Sequence, residues 1–163
     1  MEFLHWMEQT GLSIWIREAE TAWAYPAVIT LHSAGLAVLV GLSVVIALRI
    51  LGVAPALPLS AMEKLYPVMW LGFSVNAVSG VGLIVADPVT MLTNPLMAVK
   101  LLLVGAAVGN LVLIRRRVLR SPVVQSDVVP PGGKTLAFAS LALWIAATTV
   151  GRLTAYLGAQ LPL

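Results

Sequence analysis

The sequence predicts an all-α integral membrane protein: a four-helix bundle with an N-terminal interfacial segment and both termini outside. Three observations carry that prediction. Of the 163 residues, 60% are hydrophobic and only 10% are charged, against about 45–50% and about 25% in ordinary soluble domains. Asp, Glu, Lys and Arg are missing from the stretches Glu20 to Arg49, Lys64 to Asp87, Lys100 to Arg115 and Lys134 to Arg152. The connections between these stretches are rich in Gly and Pro, and they differ sharply in Lys and Arg content. The chain reads as one domain over residues 1–163, with no internal repeat.

The N-terminal segment, residues 1–25, lacks the positive start of a secretory signal, and Glu8, Arg17, Glu18 and Glu20 interrupt its apolar residues. Trp6, Trp15, Trp23 and Tyr25 suit the outer membrane interface, where rings with a polar edge are favoured. A surface helix covering the mouth of the bundle is expected here, with a binding lid as the alternative. A membrane-crossing helix needs about 20 mainly apolar residues. Four segments qualify: Pro26–Ile50, Tyr66–Ala86, Pro95–Ile114 and Thr135–Leu157. A soluble bundle would need a polar stripe on each helix. Ala34–Leu48 has only Ser43 as a polar side chain, and Leu101–Gly109 has none. Gly52, Pro55 and Pro58 break the first connection. Asp87-Pro88 and Asn94-Pro95 bracket the second, and Pro122, Pro130, Pro131, Gly132 and Gly133 fill the third.

Lys and Arg set the orientation. Arg115, Arg116, Arg117, Arg120 and Lys134 crowd the third connection, and Arg49 and Lys64 flank the first. None lies between Asp87 and Asn94. The positive-inside rule therefore places the first connection and loop 115–134 in the cytoplasm. The net charge of +3 is a topology signal rather than a nucleic-acid footprint, and no nucleic-acid partner is expected. An anionic lipid at the Arg115–Arg120 cluster is not required by it. With no cysteine and only His5 and His32 as imidazoles, thiolate sites, Cys nucleophiles and multi-histidine metal centres are excluded within one chain.

Ionisable groups inside a span are expensive, about 2.5–3.5 kcal/mol for Arg near a helix centre, and mark candidate sites. His32 lies six residues past Pro26, Lys100 five past Pro95, and Arg152 five before Leu157. In the inferred topology all three occupy the outer leaflet, with Glu18 and Asp87 as charge partners just above. Each has a structural alternative. Lys100 can extend its ammonium to the headgroups, Arg152 can pair with Glu18 or Asp87, and His32 can bond a neighbouring backbone or Thr154. As a site, the layer His32, Lys100 and Arg152 suits a haem with its propionates, a quinone carbonyl or a lipid phosphate. His32 with Met91 or Met97 would also offer soft ligands to haem iron or Cu(I), although packing is the ordinary use of Met.

Small residues recur at helix-packing spacing. Gly72, Asn76 and Gly80 lie on the second span, Gly105, Gly109 and Asn110 on the third, and Gly35 one turn beyond His32. Such spacing lets backbones approach closely, and Asn can bond across helices. Packing within the bundle is the expected use, with a docked partner helix as the alternative. No Ser-His-Asp spacing involves Ser33, Ser43, Ser74 or Ser79, and Gly132-Gly133-Lys134 lacks the rest of a phosphate loop. No catalytic residue is assigned, and the isolated chain is not expected to be an enzyme.

The chain resembles a bacterial family of small four-helix inner-membrane proteins of unknown function, itself distantly similar to copper-resistance D type and b561-like membrane cytochromes. The resemblance rests on Arg17-Glu18, Trp23, Tyr25-Pro26, His32 and Gly35, then on Leu48-Arg49-Ile50-Leu51-Gly52. It continues through Gly72-Phe73, Gly80, Asp87-Pro88, Asn94-Pro95, Lys100 and Asn110 to Gly151-Arg152 and Ala155-Tyr156-Leu157. Three positions depart from the pattern: Ala47 replaces a usual Asp, Ile29 a frequent Glu, and Arg115 a frequent His. Each removes a titratable side chain. The resemblance implies a redox-associated membrane subunit, with a b-type haem or a quinone at the His32 layer, in a bacterial inner membrane. The alternatives are a non-catalytic accessory subunit of a larger complex or a homo-oligomer, and a copper-handling or small transport protein.

Overall fold

A computed structural model describes residues 2–157. Met1 and residues 158–163, the ends of the expected domain, lie outside the described residues, as do the side chains of Ala155, Tyr156 and Leu157. The described chain is helical, with no strand. Two short helices, α1 (Glu2–Glu8) and α2 (Gly11–Glu18), precede α3 (Tyr25–Leu51). A 3-10 turn, Leu59–Leu65, leads into α4 (Tyr66–Ala86). The short α5 (Pro88–Thr93) joins it to α6 (Pro95–Ile114), which runs on as a π turn, Arg115–Leu119. A second 3-10 turn, Pro122–Ser126, precedes α7 (Gly133–Leu157).

The long helices α3, α4, α6 and α7 fall on the four apolar segments and are long and apolar enough to cross a membrane. At 1.5 Å per residue, 20 residues give roughly 30 Å, the thickness of a hydrocarbon core. Pro stands in the first turn of each of α3, α4, α5 and α6, where its missing N–H is not needed. Asp87 and Asn94 cap α5 and α6, accepting from Thr90 N at 3.2 Å and Leu96 N at 2.9 Å. Gly52, at φ 91°, ends α3 in the left-handed region, and the N–H groups of Gly52 and Val53 return to Arg49 and Leu48.

Helix α3 packs on α4 and α7, and α6 packs on α7. The core is confined to one half of the bundle. Leu39, Ile46, Ile50, Tyr66, Met69, Leu111, Ile114 and Trp144 are all buried there, toward the end that carries the first and third connections. In the other half, α3 buries no residue before Gly35 and α6 none between Met97 and Ala107. The outward faces stay apolar, with Val78, Leu102 and Ile145 all strongly exposed. That pattern fits a bundle whose surroundings are hydrocarbon.

The N-terminal helices lie against the far end. Ser13 Oγ and Arg17 Nη1 of α2 both donate to the carbonyl of Ala86, at 3.3 and 3.5 Å, and Ser13 and Ile16 are buried. They satisfy a carbonyl that α4 leaves unpaired, and Arg17 meets the negative end of its dipole. Helix α1 packs on α5. Phe3, Trp6, Trp15 and Trp23 stay exposed.

Candidate functional site

His32 sits on the inner face of α3 and is half-buried. Its position depends on small residues of both helices. A Cβ on Gly80 would stand 3.1 Å from His32 Cε1, so a side chain there would press on the ring. A Cβ on Gly35 would meet the Asn76 nitrogen and the Gly72 oxygen, both at 2.7 Å. Gly35, Gly72 and Gly80 therefore let α3 and α4 meet backbone to backbone. His32 and Asn76 then bond reciprocally. His32 Nδ1 is 2.9 Å from the Asn76 carbonyl, and Asn76 Nδ2 donates to the His32 carbonyl at 2.7 Å. Ser79 Oγ lies 3.3 Å from Nδ1.

The shortest contact of Nδ1 is to the Asn76 carbonyl, nearer than the Asn76 amide nitrogen at 3.3 Å, and it favours one tautomer. A carbonyl only accepts, so the neutral ring carries its proton on Nδ1 and its lone pair on Nε2. No described residue hydrogen-bonds Nε2.

Lys100 is half-buried on α6. Its side chain runs along α7, where a Cβ on Gly151 would lie 3.4 Å from Lys100 Cε and 3.8 Å from Nζ. Gly151 thus leaves room for the lysine. Among the described residues Lys100 has no ion-pair or hydrogen-bond partner. Arg152 follows Gly151 on α7 and is exposed. The expected carboxylates are engaged elsewhere: Glu18 pairs with Arg17 at 3.1 Å, and Asp87 caps α5. No described ion pair joins either to Arg152. Thr154 donates to Val150, its own preceding turn, rather than to His32.

An apolar furrow of about 470 Å³ runs along the α3/α4 seam, lined by Val28, Leu31, Val75, Val78 and Ser79. Ser79 belongs to both furrow and His32 site, so an apolar trough adjoins the polar pair.

No known family, curated protein or solved structure matches the chain. The site therefore stands on its own geometry.

The two small-residue stripes differ. Gly72, Asn76 and Gly80 pack against α3, whereas nothing lies within 4 Å of a Cβ on Gly105 or Gly109. These two face outward, which corrects the expectation that they pack within the bundle. Asn110 turns inward and donates to the Leu136 carbonyl of α7 at 3.0 Å. Met97 is buried on α6 and Met91 lies on α5. Among the described residues no group of three or more His, Cys, Asp or Glu is placed to hold a metal.

Sequence reasoning missed the polar network at the opposite end. Arg49, expected at a helix edge, is 4% exposed. Its guanidinium donates to the Leu57 carbonyl through Nε and to Asp127 through Nη2. Asp127 Oδ1 also accepts from Leu59 N at 2.7 Å. Glu63 accepts from Arg115 at 3.1 Å and Arg120 at 2.8 Å, and Arg115 lies over the Tyr66 ring, 5.2 Å from its centroid. Arg120 first, and Arg115 after it, hold the Glu63 carboxyl below its ordinary range. The available signal was the placement of Glu63 and Asp127, the two acids in otherwise basic connections.

Proposed function

We propose that the chain is a redox-associated subunit of a bacterial inner membrane whose His32–Lys100 site contacts the head group of a quinone. Four long apolar helices fit a multi-pass membrane protein. The observation that carries the quinone reading is the His32 Nδ1–Asn76 carbonyl bond, which leaves Nε2 without a described partner, and Lys100 is proposed as the complementary donor. His32 Nε2 presents a lone pair to a quinol O–H, and the Lys100 ammonium presents N–H groups to a quinone carbonyl. The neighbouring furrow suits the apolar tail of the same molecule. The proposed orientation keeps both termini outside and loop 115–134 in the cytoplasm, supported by the Lys and Arg asymmetry.

A b-type haem is the other occupant that the resemblance implies. His32 has the tautomer of a haem ligand, its Nδ1–H held by a carbonyl. The other imidazole, His5, is exposed on α1 with Nδ1 3.3 Å from Glu8. A bis-imidazole haem therefore does not fit this chain's own residues, and the quinone is the better match.

Titration of the full chain in mild detergent with decyl-ubiquinone, followed by tryptophan quenching, tests the reading. Losing a hydrogen bond to a charged group costs about 1.5–3 kcal/mol, so Lys100→Met should weaken binding by about tenfold or more. His32→Leu should weaken it as well. Non-saturable quenching, or wild-type affinity in both variants, refutes the site. The accessory-subunit reading is favoured by the outward-facing Gly105 and Gly109. Co-purification of a partner, lost in a Gly105→Leu variant, would select it.

A further inference from the structure

Two buried side-chain atoms among the described residues lack a hydrogen-bond partner: Ser140 Oγ and Trp144 Nε1. Both residues lie on α7, one turn apart, at 0% and 2% exposure. Residues at i and i+4 share a helix face, so the hydroxyl and the indole N–H can serve one common partner. Buried polar groups are almost always paired, and leaving one unpaired costs about 1–3 kcal/mol.

The reason Ser140 stands apart is visible in its neighbours. Ser43, Ser79 and Thr154, the other buried serine and threonine hydroxyls of the long helices, each donate to the carbonyl one turn back. For Ser140 that carbonyl belongs to Leu136, and it accepts the Asn110 amide from α6. One turn further on, the Trp144 carbonyl accepts from Thr148 Oγ1 at 2.8 Å. The local acceptors along this face are therefore shared with other donors, and the indole N–H can donate but not accept.

We infer that Ser140 and Trp144 form a binding site for one buried water molecule in the core beside α7. The chemistry selects water. The occupant must accept from the indole N–H and exchange a hydrogen bond with a hydroxyl at two residues that are almost fully buried. Water does this with one oxygen, and buried waters make about three hydrogen bonds. The site lies in the tightly packed half of the bundle, away from His32, and does not depend on the quinone reading.

The test uses the full chain in detergent with ¹⁵N-indole-labelled tryptophan. Trp144→Phe identifies the Trp144 indole signal. A cross-peak between that N–H and water is expected in the wild type, with an intensity comparable to those of the exposed Trp6 and Trp15. Ser140→Ala, which removes only the hydroxyl, should abolish the cross-peak and shift the indole proton upfield. A wild-type Trp144 indole without water contact overturns the inference. So does a water cross-peak that persists unchanged in Ser140→Ala. An indole shift that moves in Ser140→Ala with no water contact in the wild type assigns a direct Ser140–Trp144 bond and also overturns it.

Discussion

Gly35→Ala adds one methyl group at the tightest point between two long helices. Its Cβ would stand 2.7 Å from both the Asn76 nitrogen and the Gly72 oxygen, where contact begins to be ordinary only at 3.4 Å. The atoms it meets are backbone, so no side chain can swing away. The helices must part by about 0.7 Å at that level. Overpacking of this kind costs about 1–3 kcal/mol. The same displacement stretches the His32–Asn76 pair one turn away, whose bonds are 2.9 and 2.7 Å. Interhelical bonds of that type contribute about 0.6 kcal/mol each in membrane bundles. The sum is a loss of about 2–4 kcal/mol. Gly105→Ala is the control, because open space surrounds its Cβ. Relief of glycine's helix penalty should make that variant neutral or more stable by about 0.5–1 kcal/mol. Reversible unfolding in mixed micelles, by denaturing-detergent titration, measures both. A Gly35→Ala variant as stable as the wild type, or a Gly105→Ala variant equally damaged, refutes the close-approach argument.

Three further outcomes are expected. Asp127→Ala leaves the Arg49 guanidinium buried with only the Leu57 carbonyl and removes the acceptor of Leu59 N. Breaking a fully buried pair costs about 3–5 kcal/mol, but the Asp127 side chain is 49% exposed, so a loss of about 1–3 kcal/mol is expected in thermal melts. Glu63 has its folded pKa below the unfolded one. Its contribution is therefore complete above the ordinary carboxylate value of about 4.3 and fades as pH falls through the folded value. Acid melts should show wild-type stability falling more steeply there than in Glu63→Gln, and equal slopes would remove the Arg115–Glu63–Arg120 linkage. Ser13→Leu forces a large side chain into a fully buried position against Ala86. The variant should expose α1 and α2 to limited proteolysis while α3 onward stays intact, and unchanged cleavage rates would argue against that docking.

The four spans and their breaks were legible because they are written in local sequence: missing charges, Pro in the first turn, Gly at the end of α3. Which face of each span turns inward was not. The spans are apolar nearly all round, so no stripe in the sequence marks the core. Gly72-Asn76-Gly80 and Gly105-Gly109 look equivalent along the chain. Only the first meets Gly35, Val38 and His32 on a facing helix. The bond that orients the His32 imidazole needs a carbonyl 44 residues away. The Arg49 and Glu63 networks were hidden for the same reason. A basic connection reads as a topology signal, and nothing local says that its few acids will be consumed by particular arginines.

Arg49 also sets an order of events during synthesis. Its carboxylate partner lies 78 residues later, and at about 5–20 residues per second that separation is roughly 4–16 seconds of translation. Throughout that interval the end of α3 carries a cation destined for burial, with its partner not yet made. The first hairpin is therefore left unfinished until the third connection emerges and closes over it. The C-terminal half thus acts as the latch on the N-terminal half, and the last-made loop determines when the first-made turn becomes native.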